Sequence, residues 1–371
     1  MFKLFVSILI LMLSIPHEAI TLERPDTEFK IFQFPADMIP RIDGDTSDWD
    51  MVPGSYAIGE DELIDSANGN PSDKSNFDVT VKVGWVNGLD RLYFLYEAYD
   101  DYWDFEDPGL EGDVFEVVVD ADLSGGPLIP QLRDDFDGYE WEDYMFHGVH
   151  AQNYHIYTPA EGKKWAMVWG CQPWVAELPY ANAAYSYDFR HGENGRLILE
   201  FWITPFDYAP YEGPGRAIVS NLIEDTIIGL SWTVLERDEF KRAKTGFAFR
   251  TLSHKTTMYG NASDLVKFRL MPVEAQFRKP VEAAWDFSVV DMEQKLISFK
   301  DLSYGNITSW HWDFGDGTTS TEQHPVHKYS APAADNPVGN YQYQYTVVLT
   351  VTGPEGSARM SKVWDVAIPN E

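Results

Sequence analysis

The chain has 371 residues, 44% of them apolar and 15% aromatic, which is enough for the cores of two domains and too much for a disordered chain. Its formal net charge of −31 argues against nucleic acid or an anionic membrane as a partner, because the long-range field repels both. It suits divalent cations or neutral ligands, and equally an acidic surface that keeps an exported protein in solution.

In chain order, Lys3 precedes an apolar run from Leu4 to Ile15. The run is too short to span a bilayer and is expected to be the core of a secretory signal peptide over residues 1–20. The protein is therefore expected to be secreted to the periplasm, cell surface or exterior. No later stretch is apolar enough to insert in a membrane. Cys171 is the only cysteine, so no intrachain disulfide exists. Residues 21–36 are expected to be a connecting segment, because Pro25 and Pro35 limit regular structure.

Strand signals begin at Phe77. Phe77, Val79, Val81, Val83 and Trp85 alternate with Asp78, Thr80, Lys82 and Gly84, which predicts a half-buried strand, and Asn87-Gly88 predicts a hairpin turn. Further strands are predicted at 92–98, 114–119, 144–157, 165–169, 196–204, 227–235, 245–251 and 265–270. No segment holds a helical period over eleven residues or more. The expected fold is all-β: a large antiparallel β-sandwich over residues 37–272, then a smaller sandwich over 280–369. In the latter, Trp310, Trp312 and Phe314 alternate before an Asp316-Gly317 turn, and Tyr345, Val347, Leu349 and Val351 alternate in a second run.

The run WDFGDGTTSTEQHP, the HKY after it and YTVVLTVTGPEGS closely resemble the PKD domain, which implies an immunoglobulin-like sandwich serving as a spacer or a contact module for other cell-surface proteins. Upstream, Ile42-Asp43-Gly44-Asp45 with Asp48-Trp49, Leu92-Tyr93-Phe94, Gly112-Asp113-Val114-Phe115-Glu116, Ser231-Trp232 and Tyr259-Gly260-Asn261-Ala262-Ser263 resemble the carbohydrate-binding module family 9-like (DOMON-related) sandwiches. That resemblance implies a sandwich fold and, in some relatives, a sugar ligand. Residues 134–184 depart from the pattern as an aromatic-rich insertion.

Three constellations could carry chemistry. Tyr102, Trp103, Tyr139, Trp141, Tyr144, Trp165, Trp169 and Trp174 lie in or beside polar loops, and flat rings stack on the C–H faces of sugars while planar polar groups such as Gln152, Asn153 and Gln172 bind the hydroxyls. The same residues could equally be core aromatics. Asp101, Asp104, Glu106 and Asp113 stand in one acidic run that could supply the hard oxygens of a structural Ca²⁺, although it lacks the twelve-residue EF-hand pattern. On the predicted strand 144–157, alternation places His147 and His155 on one face and His150 on the other. A three-histidine metal site would then need a bulge, whereas His155 with Tyr157 could line a pocket.

No Gly-x-Ser-x-Gly, His-Glu-x-x-His or phosphate-binding glycine loop occurs, and no spacing marks a Met–His haem pair. The expectation is a non-catalytic, carbohydrate-binding protein that recognises a polysaccharide or oligosaccharide. The alternatives are a polysaccharide hydrolase or lyase using His147 or His155, Tyr157 and a carboxylate, or a surface adhesion or scaffold protein.

Overall fold

A computed structural model describes residues 22–105, 112–128, 147–237, 247–278, 280–291, 293–329 and 345–364. The chain divides into two compact units, Met1–Glu274 and Ala275–Glu371.

The first unit starts with β1 (Glu23–Gln33), the short β2 (Ile58–Gly59) and β3 (Ile64–Asp65), and then β4 (Phe77–Trp85), β5 (Leu92–Asp100) and β6 (Val114–Asp120). After these come β7 (Gln152–Tyr157), β8 (Ala166–Val168), β9 (Ala181–Ser186), β10 (Gly195–Ile203) and a small ribbon of β11 (Phe206–Tyr208) and β12 (Ile218–Val219). The last are β13 (Ile227–Arg237), β14 (Phe247–Thr251) and β15 (Val266–Leu270). The first sheet runs β8-β7-β6-β13-β15-β1, with β14 also on β13 and β3 on β14. The second runs β1-β4-β5-β10-β9, with β2 on β4.

The expectation for residues 21–36 needs correction, because β1 belongs to both sheets. Its Glu28–Ile31 stretch pairs with β15 and its Phe32 and Gln33 pair with β4, both in parallel. The sandwich is thus antiparallel except along this strand. Pro25 does no harm because it falls within the register shift between Glu23 and Glu28, and Pro35 lies beyond the last paired residue, where no ladder N–H is required.

One core fills the space between the sheets. Phe115, Val117 and Val119 of β6, Leu230, Trp232 and Val234 of β13, and Tyr154 and Ile156 of β7 face Val79, Val81 and Val83 of β4, Phe94 and Tyr96 of β5, and Leu199 and Phe201 of β10. Each set alternates with outward-facing residues, as the two-residue period of a strand requires. Full burial of so many Val, Phe and Trp side chains contributes roughly 1.5–3 kcal/mol apiece relative to exposure.

On the outside of the second sheet, Glu200 fixes the Ile42–Trp49 turn. It accepts from the indole Nε1 of Trp49 at 2.9 Å, from Gly44 N at 2.7 Å and from Asp43 N at 3.2 Å. Gly84 allows the Phe34 ring to lie against β4, since a Cβ there would come 2.2 Å from the ring.

The second unit contains β16 (Val281–Glu282), β17 (Trp285–Asp291), β18 (Leu296–Asp301), β19 (Tyr304–Gly305), β20 (Ser309–Asp313), β21 (Thr319–Ser320), β22 (Val326–Lys328), β23 (Tyr345–Gly353) and β24 (Gly356–Trp364). Sheets β17-β18-β22 and β21-β20-β23-β24 form its sandwich. Trp285, Phe299, Trp312, Phe314, Tyr329 and Leu349 share its core. The Trp310–Gly317 run is structural throughout. Trp310 Nε1 donates to Asp301 at 2.6 Å, and Asp316 holds Thr318 Oγ1 at 2.6 Å and His327 at 2.7 Å.

Candidate functional site

The outer face of a sandwich sheet is usually solvated, but the first sheet carries buried polar groups there. Antiparallel register sets Thr251, Thr233, Glu116, His155 and Met167 side by side across β14, β13, β6, β7 and β8. One step along, Ser231, Val118 and Asn153 form the next row. Glu116, Asn153, His155, Ser231 and Thr233 are at most 3% exposed. A small second core of Val118, Leu128, Met258, Ala262 and Leu265 closes one flank.

Glu116 is the centre of this face. Its Oε1 lies 3.2 Å from His155 Nε2 and accepts Asn153 Nδ2 at 2.9 Å. Asn153 gives its other amide hydrogen to the Tyr259 carbonyl at 3.1 Å. His147 lies against the Trp169 carbonyl through Nδ1. Burial, together with neighbouring His155, holds the His147 ring down to about 4, opposed by the Trp169 and Tyr259 carbonyls, so this ring is neutral at pH 7. By contrast, His155 Nδ1, Asn153 Oδ1 and Ser231 Oγ have no hydrogen-bond partner among the described residues. Buried polar atoms are normally paired, and orphans clustered on one face mark a place for water or a ligand.

Above this floor Trp169 and Tyr259, both half-buried, stack with ring centroids 5.0 Å apart and planes 21° off parallel. The Trp169 ring also contacts His147 at 5.0 Å and His155 at 5.6 Å. Gly170 makes the approach possible, since a Cβ there would lie 2.5 Å from Gln172 Oε1 and 2.6 Å from the His147 carbonyl. Flat apolar rings beside fixed hydrogen-bonding groups can hold a small hydroxylated ligand.

Of the residues singled out in the sequence, His155 lies in this floor and the half-buried Tyr157 is the next residue along the same face of β7, with Lys163 Nζ 5.4 Å from its ring centroid. Gln152 does not join them. It points to the inner side, where its amide accepts from Phe206 N and donates to Phe206 O, both at 2.9 Å. Trp103 is a core residue and not a platform. It is fully buried, stacks on Phe189 at 5.0 Å and donates to the Gly195 carbonyl. Trp174 packs edge-on against Phe206 and Tyr180 and donates to Pro210 O at 3.1 Å. Tyr102 is half-buried beside His191, away from the Glu116 row. Tyr139, Trp141, Tyr144 and Glu106 lie outside the described residues.

The described members of the acidic run are placed differently from one another. Asp101 is exposed, whereas Asp104 and Asp113 are buried. The two oxygens of Asp113 accept from the backbone N–H groups of Asp104 at 2.7 Å and Arg237 at 2.8 Å, and burial next to Asp100 pushes its carboxyl well above the usual range. Among the described residues no group of three metal-ligating side chains converges. The three histidines also separate, because the strand starts only at Gln152 and leaves His150 exposed on a turn against Tyr208.

Glu116, Ser231 and Tyr259 were legible only as parts of family-like signatures. The signal that could have found Glu116 is a single carboxylate inside the apolar run Val114-Phe115-Glu116-Val117-Val118-Val119.

Residues 278–368 match the PKD domain family, in agreement with the resemblance drawn from WDFGDGTTSTEQHP. No curated protein matches the chain by sequence. Among solved structures, the chain is similar to a carbohydrate binding module family 9 from Caldicellulosiruptor kristjanssonii in complex with cellotriose. The identity is 13% and the TM-score 0.43, over 68% of this chain and 98% of that one. It is also similar to the PKD1 domain of Vibrio anguillarum Epp at 25% identity and a TM-score of 0.20, over 24% of this chain and 98% of that one.

Proposed function

We propose that the first unit binds carbohydrate without transforming it, and that the chain is exported with the PKD domain as a spacer or contact module. The observation that supports this reading most is the half-exposed Trp169–Tyr259 pair beside the buried Glu116, His155 and Asn153. Rings of this kind cover the apolar face of a pyranose, and the polar floor orients its hydroxyls.

Affinity-gel electrophoresis of the mature protein against plant and algal polysaccharides is the direct test. Retention on at least one glycan is expected, and Trp169→Ala should weaken it about tenfold or more. A folded protein retarded by no glycan would sink the reading.

The His155–Glu116 pair at 3.2 Å also suits a hydrolase or lyase, since a carboxylate beside an imidazole is a common acid–base arrangement. Reducing-end and unsaturated-sugar assays on the retained glycan separate the two, with no product expected.

A further inference from the structure

The amide N–H donors of the Asn153 side chain are already committed. Both amide hydrogens of Asn153 are used, on Glu116 Oε1 at 2.9 Å and on the Tyr259 carbonyl at 3.1 Å. This fixes the amide orientation and leaves Oδ1, which only accepts, without a partner among the described residues. His155 Nε2 lies 3.2 Å from Glu116 Oε1, and Nδ1 has no hydrogen-bond partner among the described residues; with the ring proton on the nitrogen beside the carboxylate, Nδ1 is a bare lone pair. His147 faces the Trp169 carbonyl through Nδ1, so its ring N–H is also spent within the protein. Asn153 and His155 are two residues apart on one face of β7, a spacing of about 7 Å. Ser231 Oγ, in the same row as Asn153 with β6 between them, is a third atom without a partner among the described residues and serves in either role. Gln172, whose amide also lacks a partner, lies behind the turn at Gly148 and Gly170 and is not part of the row.

We infer that this floor reads its ligand by accepting: Asn153 Oδ1 and His155 Nδ1 take hydrogen bonds from two donor groups on one ring, either neighbouring hydroxyls or a hydroxyl and a protonated amine. The inference rests on the carbohydrate reading above and adds the polarity of recognition to it. A site built this way discriminates against any ring position that cannot donate, because the buried acceptor opposite would stay unpaired.

The test uses the full mature chain and methyl β-glucopyranoside, titrated by calorimetry beside its single deoxy and deoxyfluoro derivatives. Fluorine can accept a weak hydrogen bond but cannot donate one. At one or two ring positions the deoxy and deoxyfluoro sugars are expected to lose the same affinity, about tenfold or more each. The 2-amino-2-deoxy sugar distinguishes the two donor sources, binding at least as well as the parent if an ammonium is accepted and more weakly if the donors are hydroxyls only.

Ring ¹⁵N spectra of His155 in the wild-type chain should show Nδ1 bare without sugar and hydrogen-bonded with it, a readout that needs no variant to fold. His155→Gln and Asn153→Ala, checked by melting temperature, should flatten the deoxy series. A deoxyfluoro sugar that binds like the parent at every position overturns the inference, as does an Nδ1 that carries the proton. Unchanged sugar binding in both variants means that the orphan atoms hold buried water only, which overturns the inference and leaves carbohydrate binding standing. Absence of any sugar binding by the wild-type chain removes both.

Discussion

Two glutamates, one on the outer face of each sheet, are equally buried and differently used. Glu200 has both carboxylate oxygens saturated, by the Trp49 indole and the Gly44 and Asp43 amides. Glu116 accepts from Asn153, lies 3.2 Å from His155 Nε2 and stands among atoms that have no hydrogen-bond partner among the described residues. A saturated buried carboxylate is a clamp, and its energetic role ends with the turn it holds. One whose neighbours keep unpartnered polar atoms among the described residues stands where a ligand or water can bind.

The difference can be broken at Glu200 first, where the largest effect on stability is expected. Glu200→Ala leaves the Trp49 indole and two backbone N–H groups unpaired and should cost about 3 kcal/mol in urea unfolding. Glycan retention of the folded fraction should stay unchanged. Equal loss of retention would mean that the Ile42–Trp49 turn belongs to the site.

Glu116→Gln should show the opposite balance. Its stability cost is expected at about 1 kcal/mol, while glycan affinity falls about tenfold or more in affinity gels because Gln offers Asn153 and His155 one uncharged acceptor in place of the carboxylate that orients them. A variant that unfolds readily but binds normally would make Glu116 a second clamp.

A smaller effect concerns pH. Asp120, on the same outer face as Glu116, is pushed up to about 7 by burial and by Asp122, against bonds from Gly125 and Ser124. A carboxyl raised above its unfolded value of about 4 contributes stability at low pH, and the contribution is lost as pH rises through about 7. Asp120→Asn should therefore reduce the fall in stability between pH 4 and pH 8, as measured by denaturant titration at several pH values. An undiminished slope would assign the fall to other buried acids such as Asp113.

Much of the sandwich could be read from the strands. The alternation Phe77, Val79, Val81, Val83 and Trp85 gives β4 with its buried face, and Trp312 and Phe314 fall into the second core as their spacing requires. The strand β1 was hidden because its prolines signal a loop, and only the register shift beside Pro25 shows how a strand tolerates them. Trp103 was misplaced for a related reason. Its sequence neighbours are carboxylates, but its spatial neighbour is Phe189, and packing is decided by the latter.

The sequence by itself determined an all-β chain of two units, the residues that line their interiors and the PKD-like character of the second. Those properties follow from period-two patterning and turn chemistry, which are local. Only the tertiary structure decided the site. Glu116, Ser231, Asn153, Trp169 and Tyr259 come from five separate segments, and it is cross-strand register that sets the first three in adjoining rows. Whether a buried polar atom is satisfied depends on partners distant in sequence, and that is what separates the surroundings of Glu116 from those of Glu200.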